Sequence, residues 1–105
     1  MKGRNILKKD SLKTIYRKNP DVVSRNIAGE TVLVPISEKT QTAGRLFTLN
    51  EVGAFIWECI DGEESVGGIL GRIVDRYDVG VESATADLDE LLEGMQRCGM
   101  IFPQE

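Results

Sequence analysis

The stretch FTLNEVGAFIWECIDG, residues 47–62, carries the clearest structural signals in this 105-residue chain. Its first three residues alternate apolar and polar, as in a short strand. Asn50 is a favourable helix N-cap, and Glu51 in the first turn interacts well with the helix dipole. Apolar residues then recur at helical spacing and form one face: Val52, Phe55, Ile56, Cys59 and Ile60. Asp61-Gly62 is a typical helix end, so the stretch predicts a strand that leads directly into a helix.

Two strand signals precede this stretch. Residues 22–27 contain Val22, Val23 and Ile27, and residues 31–36, TVLVPI, form the strongest strand pattern. The Ala-Gly-Glu turn between them predicts a hairpin, because its glycine adopts positive φ without penalty. A third strand is predicted at residues 45–49. If the sheet follows chain order, this third strand is an edge with free backbone groups.

Two further helices are predicted after the first. Ser65 can cap the second helix, and its apolar stripe is Val66, Ile69, Leu70, Ile73, Val74 and Tyr77. The third helix begins near Ser83 and stops at Gly99, and its stripe is Ala84, Leu88, Leu91, Leu92, Met95 and Cys98. This order predicts an α+β, winged-helix-like domain, a three-stranded antiparallel sheet followed by a three-helix bundle. The expected core residues are Phe47, Leu49, Phe55, Ile56, Ile69, Leu70, Ile73, Leu88 and Leu92.

Charge divides the chain into two unequal halves. Residues 1–49 hold ten lysines and arginines against four acids, a balance of +6, and residues 50–105 hold three against thirteen, a balance of −10. Residues 1–19 lack periodicity and are predicted to form a basic flexible arm, followed by one folded domain at 20–105. No segment reaches the roughly 18 apolar residues of a membrane span, so a cytoplasmic location is expected.

The composition argues against catalysis. The chain has no histidine, the commonest general base and metal ligand near neutral pH. Its two cysteines, Cys59 and Cys98, lie far apart on apolar helix stripes, which is typical of reduced core residues. Four acids on the third helix are typical of a solvated face: Asp87, Asp89, Glu90 and Glu93. We therefore expect no catalytic residue, no metal site, no cofactor and no enzyme activity.

A distributed set of residues forms a pattern beyond these local signals. Its most specific block is FTLNEVGAFIW, residues 47–57, followed by Asp61-Gly62. The remainder of the pattern comprises 21–25, 29–34, Ile69, Tyr77, 87–92 and 99–101. In this pattern the chain resembles the PqqD family over about residues 20–102.

The resemblance implies three strands followed by three helices and a role as a recognition element for ribosomally made, modified peptides. The member that gives the family its name binds the precursor of pyrroloquinoline quinone and presents it to a radical S-adenosylmethionine enzyme. The implied partners are therefore a precursor leader peptide and such an enzyme, with a homodimer as a further option and neither nucleic acid nor membrane. Residues 35–40 and the basic arm differ from the common family pattern, which favours a relative that serves another peptide.

The resemblance also implies a binding site between the third strand and the third helix. In the family the leader adds a strand to the third strand and fills a groove against the third helix, a recognition mode that uses free backbone groups and alternate side chains. The positions implied here are Arg45, Leu46, Phe47, Thr48, Leu88, Leu91, Leu92 and Met95. Leu91 and Met95 are expected at the open margin of the helix, and Arg45 is expected to pair with an acidic peptide residue.

A winged-helix DNA-binding regulator is the alternative from a different functional class. A helix that reads DNA needs lysines or arginines against the phosphates. The predicted third helix has four acids against the single Arg97, and only the N-terminal arm is basic enough. The charge pattern therefore favours the peptide-binding hypothesis.

Overall fold

Five short strands and three helices make up the described part of the chain. The computed structural model describes residues 12–36 and 47–104. The strands are β1 Tyr16–Lys18, β2 Val22–Ile27, β3 Glu30–Pro35, β4 Phe47–Leu49 and β5 Ile101–Pro103. The helices are α1 Glu51–Cys59, α2 Val66–Arg76 and α3 Val81–Arg97.

The main sheet is antiparallel, with the order β2-β3-β4. Ile27 lies opposite Glu30, so the β2–β3 hairpin has a two-residue loop. Ala28 and Gly29 both adopt positive φ, 54° and 83°, as in the turns whose twist matches that of paired strands. β4 pairs with β3 on the far side from β2 and is an edge of the sheet, as predicted. A three-stranded antiparallel sheet followed by three helices confirms the predicted α+β fold.

Side-chain caps set the start of two helices. The Asn50 Oδ1 atom accepts the backbone N–H of Gly53 at 2.8 Å, and the Ser65 hydroxyl accepts that of Gly68 at 3.2 Å. Both caps agree with the sequence prediction. The third helix was predicted to start near Ser83, but it starts at Val81 with Gly80 as its N-cap and no side-chain cap bond. The start was missed because no capping side chain marks it.

One core joins the sheet to the three helices. Of the residues predicted for it, six are buried: Leu49, Ile56, Ile69, Ile73, Leu88 and Leu92. Phe47, Phe55 and Leu70 are partly buried and pack against this cluster. Further buried side chains include Leu33, Trp57, Ile60, Met95, Met100 and Ile101. Cys59 is buried in the core, as predicted, whereas Cys98 is only partly buried and packs against it.

Residues 12–19 belong to the folded domain, which corrects the prediction of a flexible arm over residues 1–19. β1 pairs antiparallel with β5, and Tyr16 lies opposite Pro103. The carbonyl oxygen of Tyr16 accepts the Gly62 N–H at 3.1 Å. The side chain of Asn19 is buried and donates to the Gly99 carbonyl oxygen at 2.8 Å. The pairing gave no periodic signal because β1 is only three residues long and its partner is at the other end of the chain. Residues 1–11 lie outside the described part.

Candidate functional site

A groove of about 700 Å³ lies between β4 and α3. β4 forms one wall, the first turns of α1 close one side, and α3 forms the opposite wall. The lining residues are Phe47, Thr48, Leu49, Asn50, Val52, Gly53, Ile56, Asp87, Glu90, Leu91, Glu93, Gly94 and Arg97. The groove therefore joins an edge strand to an amphipathic helix.

The β4 wall has a backbone edge that is open among the described residues. On one side β4 is bonded to β3, with Leu33 opposite Phe47 and Thr31 opposite Leu49. In residues 12–36 and 47–104, no strand pairs with its other side. The side chains follow the strand alternation, because Phe47 is half-buried, Thr48 is exposed and Leu49 is buried. Such an edge presents N–H and C=O groups to an added strand.

The α3 wall contains one glycine, Gly94, which faces the Phe47 ring of β4. A Cβ atom built on Gly94 would lie 3.6 Å from Cζ and 3.8 Å from Cε2 of Phe47. The absence of a side chain at Gly94 thus leaves the face of α3 open beside the Phe47 ring. Leu91, one turn earlier on the helix, is half-buried and adds an apolar surface to this wall.

The structure divides the predicted site residues into three groups. Phe47, Thr48 and Leu91 line the groove, and Arg45 and Leu46 lie outside the described residues. The third group is buried in the core: Leu88, Leu92 and Met95.

Placing Met95 at an open margin of the helix was wrong, because its side chain is 0% exposed. Positions 88, 92 and 95 repeat at helical spacing and share the face of α3 that packs on the core. The groove lies against the neighbouring face, which includes Leu91 and Gly94.

Several groove residues were not predicted as site residues. Asp87, Glu90 and Glu93 were interpreted as a solvated face, and Gly94 was not singled out. Their positions, with Leu91, follow a helical repeat displaced from the apolar stripe. This second repeat was detectable in the sequence, but polar residues on a helix are usually only solvated. These α3 residues form a groove wall only because β4 lies opposite them.

The groove has an acidic rim on the α3 side. Arg97 forms an exposed ion pair with Glu93, at 3.3 Å between Nη2 and Oε2. Asp87 and Glu90 are exposed, and neither has an ion-pair partner within the described part of the chain. The unneutralised charge of this wall is therefore negative.

Titratable groups with shifted pKa values lie away from the groove. Burial, together with the nearby Asp89 carboxylate, raises the pKa of the Tyr16 hydroxyl. Burial also raises the pKa of the Cys59 thiol, which disfavours the nucleophilic thiolate. The described residues contain no group of three His, Cys, Asp or Glu side chains placed to hold a metal ion. Nor does any described helix combine the length and apolar character needed to cross a membrane.

Comparison with known protein families decides the family. Residues 30–101 match the family model described as coenzyme PQQ synthesis protein D (PqqD). The chain belongs to the PqqD family. No curated protein matches the sequence of this PqqD-family chain.

Two solved structures share the fold of this PqqD-family chain. One, described as lasso peptide synthetase B1 complexed with the leader peptide, has a TM-score of 0.68 and 20% identity, and covers 84% of this chain and 98% of its own. The other, described as TbiB1 in complex with the TbiA(beta) leader peptide, has a TM-score of 0.66 and 25% identity, and covers 81% and 93%. Each alignment therefore includes nearly the whole of the matched chain.

Proposed function

We propose that this PqqD-family chain is a non-catalytic recognition element. It binds the leader of a ribosomally made precursor peptide and presents it to a modifying enzyme of the radical S-adenosylmethionine class. The observation that carries the proposal is the pairing of an edge strand, β4, with a groove against α3. Both structural neighbours are described as complexes with leader peptides, which supports this class of ligand.

Strand addition explains how such a site binds peptides. An extended leader laid along β4 pairs its N–H and C=O groups with those of residues 47–49. Alternate side chains of an extended peptide point to opposite sides, so every second leader residue enters the groove. Backbone pairing contributes affinity for any extended peptide, and the side chains that line the groove determine which peptide sequences bind best.

The predicted site residues take separate roles in this proposal. Phe47, Thr48 and Leu91 contact the leader directly. Leu88, Leu92 and Met95 hold α3 against the core at the distance that keeps the groove open. Arg45 and Leu46, just before β4, remain proposed contacts on the strand side.

The genes beside this one are first searched for a short precursor peptide, and the test is an amide NMR titration with the leader of any peptide found there. Shifts should concentrate at residues 47–49 and 87–97. Leu91→Glu should weaken binding at least about tenfold, because it places a charge on the apolar wall. The spectrum of this variant should remain dispersed, since Leu91 is only half-buried. Met95→Glu is unsuitable as a probe because it would bury a carboxylate in the core.

Val81→Glu provides the matched control. Val81 lies on the same helix, is 57% exposed and does not line the groove, so the same change there should leave affinity unaltered. Shifts confined to β1 or α2, or equal losses in both variants, would refute the groove assignment.

A further inference from the structure

Glu90, on the acidic rim of the groove, lies at a fixed distance along α3 from Gly94. On α3, Glu90 lies one helical turn before Gly94, a rise of about 6 Å along the axis. Gly94 is the point where the helix backbone faces the Phe47 ring. Glu90 therefore lies about 6 Å along the helix axis from the point where the Phe47 ring faces Gly94.

This spacing matches the repeat of an extended peptide. Successive side chains on one face of a strand are two residues apart, which is about 6.5–7 Å. A peptide side chain that packs on the Phe47 ring beside Gly94 therefore has its neighbour on the same face close to Glu90. The α3 wall from Asp87 to Arg97 rises about 15 Å, enough for four or five extended residues.

The charges at the two ends of this wall differ. At the Arg97 end the guanidinium already pairs with Glu93. At the other end Asp87 and Glu90 are both exposed and have no ion-pair partner among residues 12–36 and 47–104. An incoming cation thus meets two carboxylates near one peptide position, whereas an incoming anion is repelled there.

We infer that the groove selects a peptide carrying an apolar side chain and a lysine or arginine two residues apart. The apolar side chain packs against the Phe47 ring, beside Gly94 and Leu91. The basic side chain lies along the rim at Glu90, within the field of Asp87. The inference rests on the proposed function, because it names the class of peptide that the same site binds.

Capped seven-residue peptides of alternating threonine and valine, with leucine at the centre, are suitable probes. Lysine, glutamine or glutamate replaces the residue two positions after the leucine in one set and two positions before it in another. Affinity is measured from amide shifts at low and physiological salt. In one of the two orders the lysine peptide should bind about two- to fivefold more tightly than the glutamine peptide. The glutamate peptide should bind least, and added salt should reduce the differences.

Two charge-neutralising variants separate the rim from the overall charge. Glu90→Gln should lower the preference for lysine over glutamine, and only the weaker attraction of Asp87 should remain. Glu82→Gln makes the same change on the same helix outside the groove, and should retain that preference. Equal preferences in Glu90→Gln and Glu82→Gln would overturn the inference, because the selection would then reflect net charge alone.

The remaining outcomes distinguish this inference from the proposed function. If all the peptides shift residues 47–49 and 87–97 with equal affinities, strand addition stands and the charge selection is wrong. If none of them shifts these residues at millimolar concentration, strand addition at β4 fails, and the inference fails with it.

Discussion

Gly94 is the residue at which stability and binding are expected to conflict. A glycine inside a helix costs about 1 kcal/mol relative to alanine. A Cβ atom at Gly94 would make only ordinary contact with the Phe47 ring, at 3.6 and 3.8 Å. Packing therefore does not require the glycine, whereas an open groove wall does.

We predict that Gly94→Ala stabilises the domain and weakens peptide binding. The free energy of unfolding should rise by up to about 1 kcal/mol, because helix propensity improves without a clash. Affinity for the leader should fall about fivefold or more, because the methyl group occupies the groove beside Phe47. Urea denaturation and the NMR titration measure the two effects.

Gly71→Ala on α2 is the control, since nothing lies within 4 Å of a Cβ atom built there. It should increase stability to a similar extent and leave affinity unchanged. Unaltered binding by Gly94→Ala would show that Gly94 has no role in the groove.

A substitution at Leu92 tests the helix phase, which is the assignment of α3 residues to the core face or to the groove face. Its side chain is 4% exposed and belongs to the core cluster, whereas Leu91 beside it is half-buried in the groove wall. Leu92→Ala should lower the free energy of unfolding by about 2–5 kcal/mol through lost burial and the cavity that remains. Leu91→Ala should cost less in stability and more in peptide affinity. Equal stability losses in urea denaturation would contradict the assigned phase.

At the scale of elements, β1 and β5 connect the two ends of the described chain. The Val66 N–H donates to the Thr14 carbonyl oxygen at 2.8 Å, and the Gln104 N–H donates to that of Ile15 at 2.6 Å. Leu12 packs over Gly67 at the start of α2, and its carbonyl oxygen would lie 3.2 Å from a Cβ atom there. Residues 12–18 thus hold the start of α2 and the end of the chain together.

Removal of this segment should destabilise the domain. The free energy of unfolding should be about 3 kcal/mol lower for a chain that begins at residue 19 than for one that begins at residue 12. The shorter chain lacks several backbone hydrogen bonds and the packing of Leu12 and Tyr16. Urea denaturation of both truncated chains measures the difference. Equal midpoints would show that residues 12–18 do not stabilise the domain, as expected of the flexible arm first predicted for residues 1–19.

α3 illustrates how one element can serve two surfaces. One face packs Leu88, Leu92 and Met95 into the core, and the next carries Leu91 and Gly94 to the groove. The helix therefore connects the stability of the domain with the shape of the site. Substitutions on its two faces should separate these properties.

At the scale of the whole molecule, the acidic second half of the chain opposes nucleic-acid binding. α3 contains a single basic residue, Arg97, which already pairs with Glu93. The exposed acids on this helix include Glu82, Asp87 and Glu90. A helix of this charge is repelled by phosphates, whatever the resemblance of the fold to winged-helix DNA-binding domains.

We predict no sequence-dependent binding of duplex DNA at physiological salt. A gel-shift assay with a random-sequence duplex pool measures this. Any weak association at low salt should require the basic residues 1–11, so a chain that begins at residue 12 is the control. Enrichment of a particular sequence at physiological salt would contradict the prediction.

Local signals in the sequence determined much of this fold. The Ala28-Gly29 loop, the Asn50 and Ser65 caps and the apolar repeats of the helices depend on near neighbours in the chain. The sheet was assumed to follow chain order, and on that assumption β4 was correctly expected at the edge. The strand side of the site, Phe47 and Thr48, was expected from the resemblance to the PqqD family.

Only the tertiary structure decided the long-range features. The pairing of Tyr16 with Pro103 joins two three-residue strands that have no periodic signal and no nearby partner. Likewise, the sequence shows that Leu91 and Met95 lie near one apolar stripe of α3, but not which of them the core covers. That choice depends on where β4 and α1 pack against the helix. The packing buries Met95 and leaves Leu91, Gly94 and the acidic rim facing the groove.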